Sequence, residues 1–263
     1  MTRKPKSDYA IQTVSNALRL LEVFRDEDEI GVAELSRRLH LHKNNVFRLL
    51  ATMEGSSFIE QSPATEKYRL GIAIHALGQA FARSRPLLER ARPILERLQE
   101  ETGETVHLAV HDGFEVVHLV GLAPKREIAI GVRTGRRTPI HCTALGKVLL
   151  GCSPERAWRE YDEQVVKRGK LARRTARTIE DADKFFEHLR TVAGLGSAVD
   201  LGEFEDGLGC AAAPVHGGDG ELMAALSVSA PLFRAGEEGM VGDLRQRVVR
   251  AGEELSAALG YVA

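Results

Sequence analysis

Cysteine is scarce in this chain of 263 residues: Cys142, Cys152 and Cys210 are the only three. An odd, small number without C-x-x-C spacing excludes a disulfide framework, argues against a structural zinc site, and makes a reducing cytoplasm the expected compartment. Long hydrophobic runs are missing as well. The most apolar stretches, such as 223–228, are far too short to cross a bilayer, so no membrane partner is expected. The opening Met1-Thr2-Arg3-Lys4-Pro5-Lys6 is basic but no apolar run follows it, so a secretory signal is not expected. Charge of one sign is also lacking, because 36 Lys and Arg face 37 Asp and Glu. Absent too are a G-x-S-x-G elbow, a P-loop and a G-x-G-x-x-G fingerprint, which removes the motif-borne hydrolase and nucleotide-binding classes. No cofactor is expected.

What remains is an ordinary globular composition, 43% hydrophobic and 28% charged, in a chain long enough for a small domain and a medium one. The near-neutral sum hides a distribution. Arg37, Arg38, Lys43, Arg48, Lys67 and Arg69 fall in the first quarter, whereas Asp200, Glu203, Glu205 and Asp206 lie in the second half. A basic face on one domain suffices for phosphate contacts, the more so if dimerisation doubles it.

Three helical patterns open the chain. Val14, Ala17, Leu18, Leu21 and Phe24 recur at helical spacing over 14–25; Leu35 and Leu39 share a face over 33–39; Val46, Leu49, Leu50 and Met53 do so over 43–54. Two short helices joined by a few residues form a helix-turn-helix. Gly55 stops the third, and residues 58–61 and 67–70 read as two strands about a polar turn, a wing. An amphipathic segment with Ile74, Leu77 and Phe81 suits a linker helix ended by Pro86, followed by a helix over 87–101.

With Val46, Leu49, Leu50 and Met53 inward, a rotation of about 100° per residue puts Asn44, Arg48 and Ala51 outward, flanked by Lys43, Asn45 and Phe47. Asn pairs bidentately with adenine and Arg with guanine in the major groove, and the start of a recognition helix reaches deepest. Asn44 and Arg48 are the expected base readers. Lys43 and Asn45 divide between bases and phosphates; Lys67, Arg69, Thr13 and the basic tail are expected on backbone or minor groove.

From Thr105 the period changes. Residues 106–110, 115–120 and 127–132 read as a three-stranded meander, with Asp112-Gly113 as a hairpin turn. Helices are expected at 144–150, 154–161 and 179–192, strands at 209–215 and 221–229, and a last helix at 236–259. The fold class is α+β: a winged helix-turn-helix at 10–71, a linker helix at 72–85, and an α/β domain at 86–263 that resembles sensor domains of the GAF and PAS kind. His107, His111, His118 and His141 cluster near the sheet but show no compact ligand spacing, so no metal site is expected.

Several stretches resemble the IclR family of regulators. These are Val32-Ala33-Glu34-Leu35-Ser36-Arg37-Arg38-Leu39, Lys43-Asn44-Asn45-Val46-Phe47-Arg48-Leu49-Leu50 and Tyr68-Arg69-Leu70-Gly71 in the first half. In the second they are His141-Cys142-Thr143-Ala144-Leu145-Gly146-Lys147 and the spaced set Asp200, Glu203, Gly207, Cys210, Ala212, Ala213, Pro214 and Val215. The chain departs from the family at Asn44-Asn45 (commonly Ser-Thr), at Phe47 (often His) and at Ser56-Ser57, where an aromatic or glycine-containing hinge is usual. The resemblance implies a regulator, expected to repress, that binds an operator as a dimer or dimer of dimers. It further implies a small organic or aromatic acid held by Ala144, Leu145, Asp200, Leu208, Cys210, Ser227 and Ser229. Ala144 and Leu145 open a helix, where free N–H groups favour a carboxylate, and Ser227 and Ser229 share one face of a strand. Two readings of other classes stand beside it: a hydrolase using Cys210 or Ser229 with a histidine and Asp200, and a winged helix used for protein docking.

Overall fold

The computed structural model describes residues 10–83, 85–169 and 171–262, and the chain divides between Arg85 and Pro86 into two compact units. The basic tail expected on DNA lies outside the described residues.

The first unit holds α1 (Gln12–Val23), α2 (Val32–Leu39), α3 (Lys43–Glu54), the hairpin β1 (Ile59–Gln61) and β2 (Tyr68–Leu70), and α4 (Ile72–Arg83). Its core is Leu20, Phe24, Ile30, Leu35, Leu39, Val46, Leu49, Leu50, Ile59 and Tyr68. The turn between α2 and α3 is set by His40 in the left-handed region, φ 55°, a conformation that His tolerates better than most side chains. The Leu41 amide then reaches the Ser36 carbonyl while the Ser36 hydroxyl donates to the Leu41 carbonyl at 2.6 Å. Ile30 bridges Tyr68, so the hairpin is anchored to the helical core. Gly71 is obligatory: a Cβ there would lie 2.3 Å from the Ser57 carbonyl oxygen. Within α4 no residue is buried, and Ile72 and Leu77 are exposed.

The second unit has α5 (Pro86–Thr102), β3 (Thr105–Asp112), β4 (Glu115–Leu122), β5 (Arg137–Pro139), α6 (Ala144–Gly151) and α7 (Glu155–Tyr161). A π-helical turn (Asp162–Val166) leads to α8 (Ala182–Leu195), β6 (Ala198–Leu201), β7 (Leu208–His216) and β8 (Leu222–Pro231). Then come α9 (Leu232–Gly239), a second π-helical turn (Met240–Leu244) and α10 (Arg245–Ala258). The strands form one antiparallel sheet in the order β5-β4-β3-β8-β7-β6. One face packs Val106, Leu108, Ala211, Leu226 and Val228 against α5 and α10. The other carries Ala109, Ala198, Ala212 and Ala225 under α6 and α8, and these small side chains let the helices approach closely.

The meander closes differently from the sequence expectation. Residues 127–132 form no strand; the third strand is β5, which occupies the free edge of β4. Ile128 and Val132 are exposed, and the segment is held by side chains instead of a ladder. Thr105 donates to the Ile130 carbonyl at 2.6 Å, and Arg234 to the Ile128 carbonyl at 3.2 Å. The short edge strand β6, with its polar Asp200, was not anticipated.

Candidate functional site

On α3 the side chains of Lys43, Asn44, Asn45 and Arg48 are exposed, and none makes a hydrogen bond or ion pair among the described residues. Neighbouring cations are already neutralised. Arg37 and Arg38 bind Glu34, Arg38 also reaches Glu27 at 2.6 Å, and Arg69 in the wing binds Glu60 at 2.6 Å and lies 3.8 Å from Glu29. Lys67 is exposed and in no ion pair, and Thr13 is exposed in the first turn of α1. Of the residues expected on DNA, the first four therefore form one unpaired polar face, Lys67 adds an exposed charge on the wing, and Arg69 is engaged. Phe47, 57% exposed beside them, adds an apolar element to that face.

In the second unit the register builds a pocket. Asp200, Cys210, Ser229 and Thr105 stand directly opposite one another across β6, β7, β8 and β3, and Ala212, Ser227 and His107 form the next row on the same face. Above them α6 begins. Thr143 caps it, accepting from the Gly146 amide at 3.2 Å and donating to the Pro139 carbonyl at 2.7 Å. The Ala144 and Leu145 amides in that first turn lie beyond the reach of intrahelical bonding. Gly146 lets the helix start here, because a Cβ would lie 2.4 Å from the Ile140 backbone. All seven residues expected at the effector site line the resulting cavity of about 30 Å³, enough for one or two waters. A broader trough of about 580 Å³ beside Lys184 and Glu187 is open surface, and the smaller cavity is where inward polar groups converge.

The lining also includes His107, His118, Arg133, Thr138, Thr143 and Phe204, which sequence reading missed as site residues. The alternation of β3 was a usable signal for His107; nothing local marked Arg133, which lies in the segment expected to be a strand. The Arg133 amide donates to His107 Nε2 at 3.2 Å, His118 Nε2 lies 3.2 Å from Thr138 Oγ1, and the two rings meet edge to face at 5.0 Å. Burial, then His118 and Arg133, push the His107 pKa down to about 3; burial and Arg133 push that of His118 to about 4. Both rings are neutral at neutral pH.

Asp200 does both things open to it: its Oδ1 accepts from the Glu203 amide at 2.6 Å, making a turn, and its carboxylate lines the cavity. Burial raises its pKa to about 7. Behind it Lys147, fully buried, pairs with Glu203. Cys210 donates to Ser229 Oγ at 3.2 Å, and burial pushes its thiol up to about 12. Among the described residues no group of three or more His, Cys, Asp or Glu could hold a metal ion. No helix among them is long and apolar enough to cross a membrane.

Comparison with known proteins agrees across the whole length. The IclR helix-turn-helix domain matches residues 13–63, and the C-terminal domain of bacterial transcriptional regulators of the IclR type matches residues 79–257. The transcriptional regulator KdgR of Escherichia coli is 32% identical over 258 residues, covering 97% of this chain and 95% of its own. The transcriptional repressor AllR of E. coli is 28% identical over 263 residues, covering 99% and 94%. A crystal structure of an IclR homologue from Microbacterium hydrocarbonoxydans, complexed with 4-hydroxybenzoate, superposes with a TM-score of 0.78 at 26% identity, covering 93% of this chain and 99% of that one. With both family domains matched in order and a relative of this identity along nearly its full length, the chain belongs to the IclR family of helix-turn-helix transcriptional regulators.

Proposed function

We propose that this protein is a cytoplasmic repressor that reads an operator through α3 and loosens its grip when a small organic acid occupies the cavity beneath α6. The observation that carries the DNA half is the contrast in charge pairing. Arg37, Arg38 and Arg69 spend their charge on carboxylates, while Lys43, Asn44, Asn45 and Arg48 are left unpaired on one helix face. Asn44 and Arg48 read base edges in this scheme; Lys43, Asn45, Lys67 and Thr13 meet phosphates. Arg69 joins them only by leaving its carboxylates.

The domain limits follow the same division of labour: 10–71 for DNA, 72–85 as a joining helix, 86–263 for the ligand. Exposed Ile11 just before α1, Val14 and Leu18 on α1, and Ile72 and Leu77 on α4 supply the apolar surface for a homodimer, which can pair into a dimer of dimers. A dimer reads a near-palindrome with paired recognition helices. The ligand changes DNA affinity only by its different affinity for the two arrangements of that dimer.

An acid is favoured because free amides at a helix start, with hydroxyls from Ser227 and Ser229, suit a carboxylate. The 4-hydroxybenzoate complex of a relative supports the same class. The enzyme reading has less support: the Cys210 thiol is held protonated, and no histidine is hydrogen-bonded to Cys210 or Ser229 among the described residues. The test is fluorescence anisotropy with DNA from upstream of the protein's own gene, at about 0.15 M salt with random competitor. Saturable, competitor-resistant binding that an organic acid reverses is the expected outcome. Binding no tighter than to random DNA, from any promoter tried, would sink the reading.

A further inference from the structure

Among the polar groups that α3 presents stands one side chain that can make no hydrogen bond. Phe47 is 57% exposed, and it belongs neither to the core of the first unit nor to any ring contact among the described residues. A lone apolar side chain on a protein surface is ordinary. Phe47 is set apart by its neighbours. Residues three and four apart on a helix adjoin, so Phe47 lies beside Lys43 and Asn44 on one side and Ala51 on the other, with Arg48 next in sequence, and all are exposed. Ala51 offers only a methyl group, which leaves the ring unscreened on that side. Long helical side chains lean toward the N-terminus of their helix, over the preceding turn. The ring is thereby carried toward Lys43 and Asn44, at the end of a recognition helix that reaches deepest into the groove.

A helix face in the major groove meets three kinds of surface: phosphate and sugar at the rim, the donors and acceptors of the base edges, and the 5-methyl group of thymine. A phenyl ring carries no donor or acceptor for the first two, and pressing it on them strips their water without return. Cytosine is disfavoured on the same ground, because it presents an amino donor and no methyl group. The thymine methyl is the partner that gains from the contact. Burying one such group is worth about fourfold in affinity.

Resting on the regulator reading above, we propose that Phe47 is a specificity residue that reads a thymine in each operator half-site through its 5-methyl group. Asn44 and Arg48 then select bases by hydrogen bonding, and Phe47 selects one by excluding water between them.

The experiment replaces thymine by deoxyuridine, which removes the 5-methyl group and keeps every hydrogen-bonding group of the base. Competitive anisotropy at about 0.15 M salt compares the promoter fragment that the wild-type chain binds with the same fragment made throughout with deoxyuridine. One methyl contact in each of two half-sites predicts a loss of about tenfold or more for the wild-type chain. Phe47→Ala should bind the two fragments within about twofold of each other. This preference is a ratio between two DNAs for one preparation, so it does not depend on how much of a variant is folded. Single deoxyuridine substitutions should concentrate the wild-type loss at one thymine per half-site. Wild-type binding indifferent to the methyl groups would overturn the inference. So would an equal loss in Phe47→Ala, which would trace the preference to another side chain or to DNA shape. The two levels stay distinguishable: specific binding of the unmodified fragment without a methyl preference sinks this inference alone, and absence of specific binding by the wild-type chain sinks the regulator reading beneath it.

Discussion

On α3 the residues that hold the fold and the residues that face solvent alternate within one helix of 12: Val46, Leu49 and Leu50 are buried, and Asn44 and Arg48 are presented. In the second unit no such separation exists. Asp200, Ser227 and His107 are as buried as Leu108 or Val228, and they come from β6, β8 and β3 of one sheet. The first arrangement suits a large rigid ligand such as DNA, which can be met on a convex surface by groups kept free of internal partners. The second suits a small molecule, which can supply inside the fold the hydrogen bonds that the fold leaves unmade. Substitution at the first site should therefore affect binding and spare stability, whereas at the second it should affect both.

Arg48→Ala gives the largest expected effect. One bidentate base contact carries about 1–3 kcal/mol, so losing it in both half-sites of a dimer should weaken operator binding by about thirtyfold or more. The melting temperature should stay within a degree or two, because the Arg48 side chain is exposed and makes no hydrogen bond or ion pair among the described residues. Competitive anisotropy and a thermal melt check both halves; a large fall in melting temperature would break the comparison. The wing sharpens it. Lys67→Ala should lower the salt slope of binding by about one phosphate contact, while Arg69→Ala, whose charge already rests on Glu60, should change it less.

Ser227→Leu tests the other side. A larger apolar group in a buried position should cost about 1–3 kcal/mol of stability and abolish release of the operator by the effector. Urea melts and effector titrations of the preformed DNA complex measure the two. A variant that still responds normally to effector would remove Ser227 from the site.

The pocket should also write a pH signature on stability that α3 does not. The histidines have depressed values in the fold, so their contribution is whole above the unfolded value near 6.5 and is lost as pH falls toward about 4 for His118 and about 3 for His107. Asp200 is raised to about 7, so its contribution is whole below its unfolded value and is lost as pH rises through about 7. Between pH 6.5 and 5 each group amounts to about 2 kcal/mol, with opposite signs. His118→Phe should therefore shrink the acid loss by about that much, and Asp200→Asn should enlarge it. Urea unfolding at the two pH values is the measurement; shifts of the same sign in both variants would contradict the assignment.

The difference between the units also explains what the sequence made legible. Helix periodicity places Asn44 and Arg48 from the four apolar positions Val46, Leu49, Leu50 and Met53, because the information is local. It also locates the wing, whose strands are continuous in sequence. The cavity depends on register between strands far apart in the chain, so Asp200, Cys210, Ser227 and Ser229 could be named only through resemblance to the family. Residue-level reasoning left each with an ordinary structural alternative. His118 and Thr138 join the site through a pairing that begins at β5, and β5 was misplaced because alternation at Ile128, Ile130 and Val132 mimics a strand. The physics that decides otherwise is not local: the edge of β4 was already taken by Arg137–Pro139.

Ser57 offers the smallest and cleanest refinement, at the place where the chain departs from the hinge usual in its family. It sits in the turn between α3 and β1 with φ 59°, a left-handed conformation that costs an L-residue about 1–2 kcal/mol and costs glycine nothing comparable. The conformation is imposed from both sides. The Ser57 amide reaches back to the Glu54 carbonyl at 2.9 Å, and its own carbonyl accepts from the Ala73 amide at 3.0 Å, tying the end of α3 to the start of α4. Because these bonds are made by backbone, glycine can keep them all. Ser57→Gly should then stabilise the first unit by somewhat less than the strain relieved, about 0.5–1 kcal/mol, since glycine also gains freedom in the unfolded chain. Operator affinity should not change, because the presented face of α3 is untouched. If the variant instead loses operator affinity at unchanged stability, then the serine itself takes part in placing the wing on DNA, and the separation of fold from function on this unit is less complete than α3 suggests.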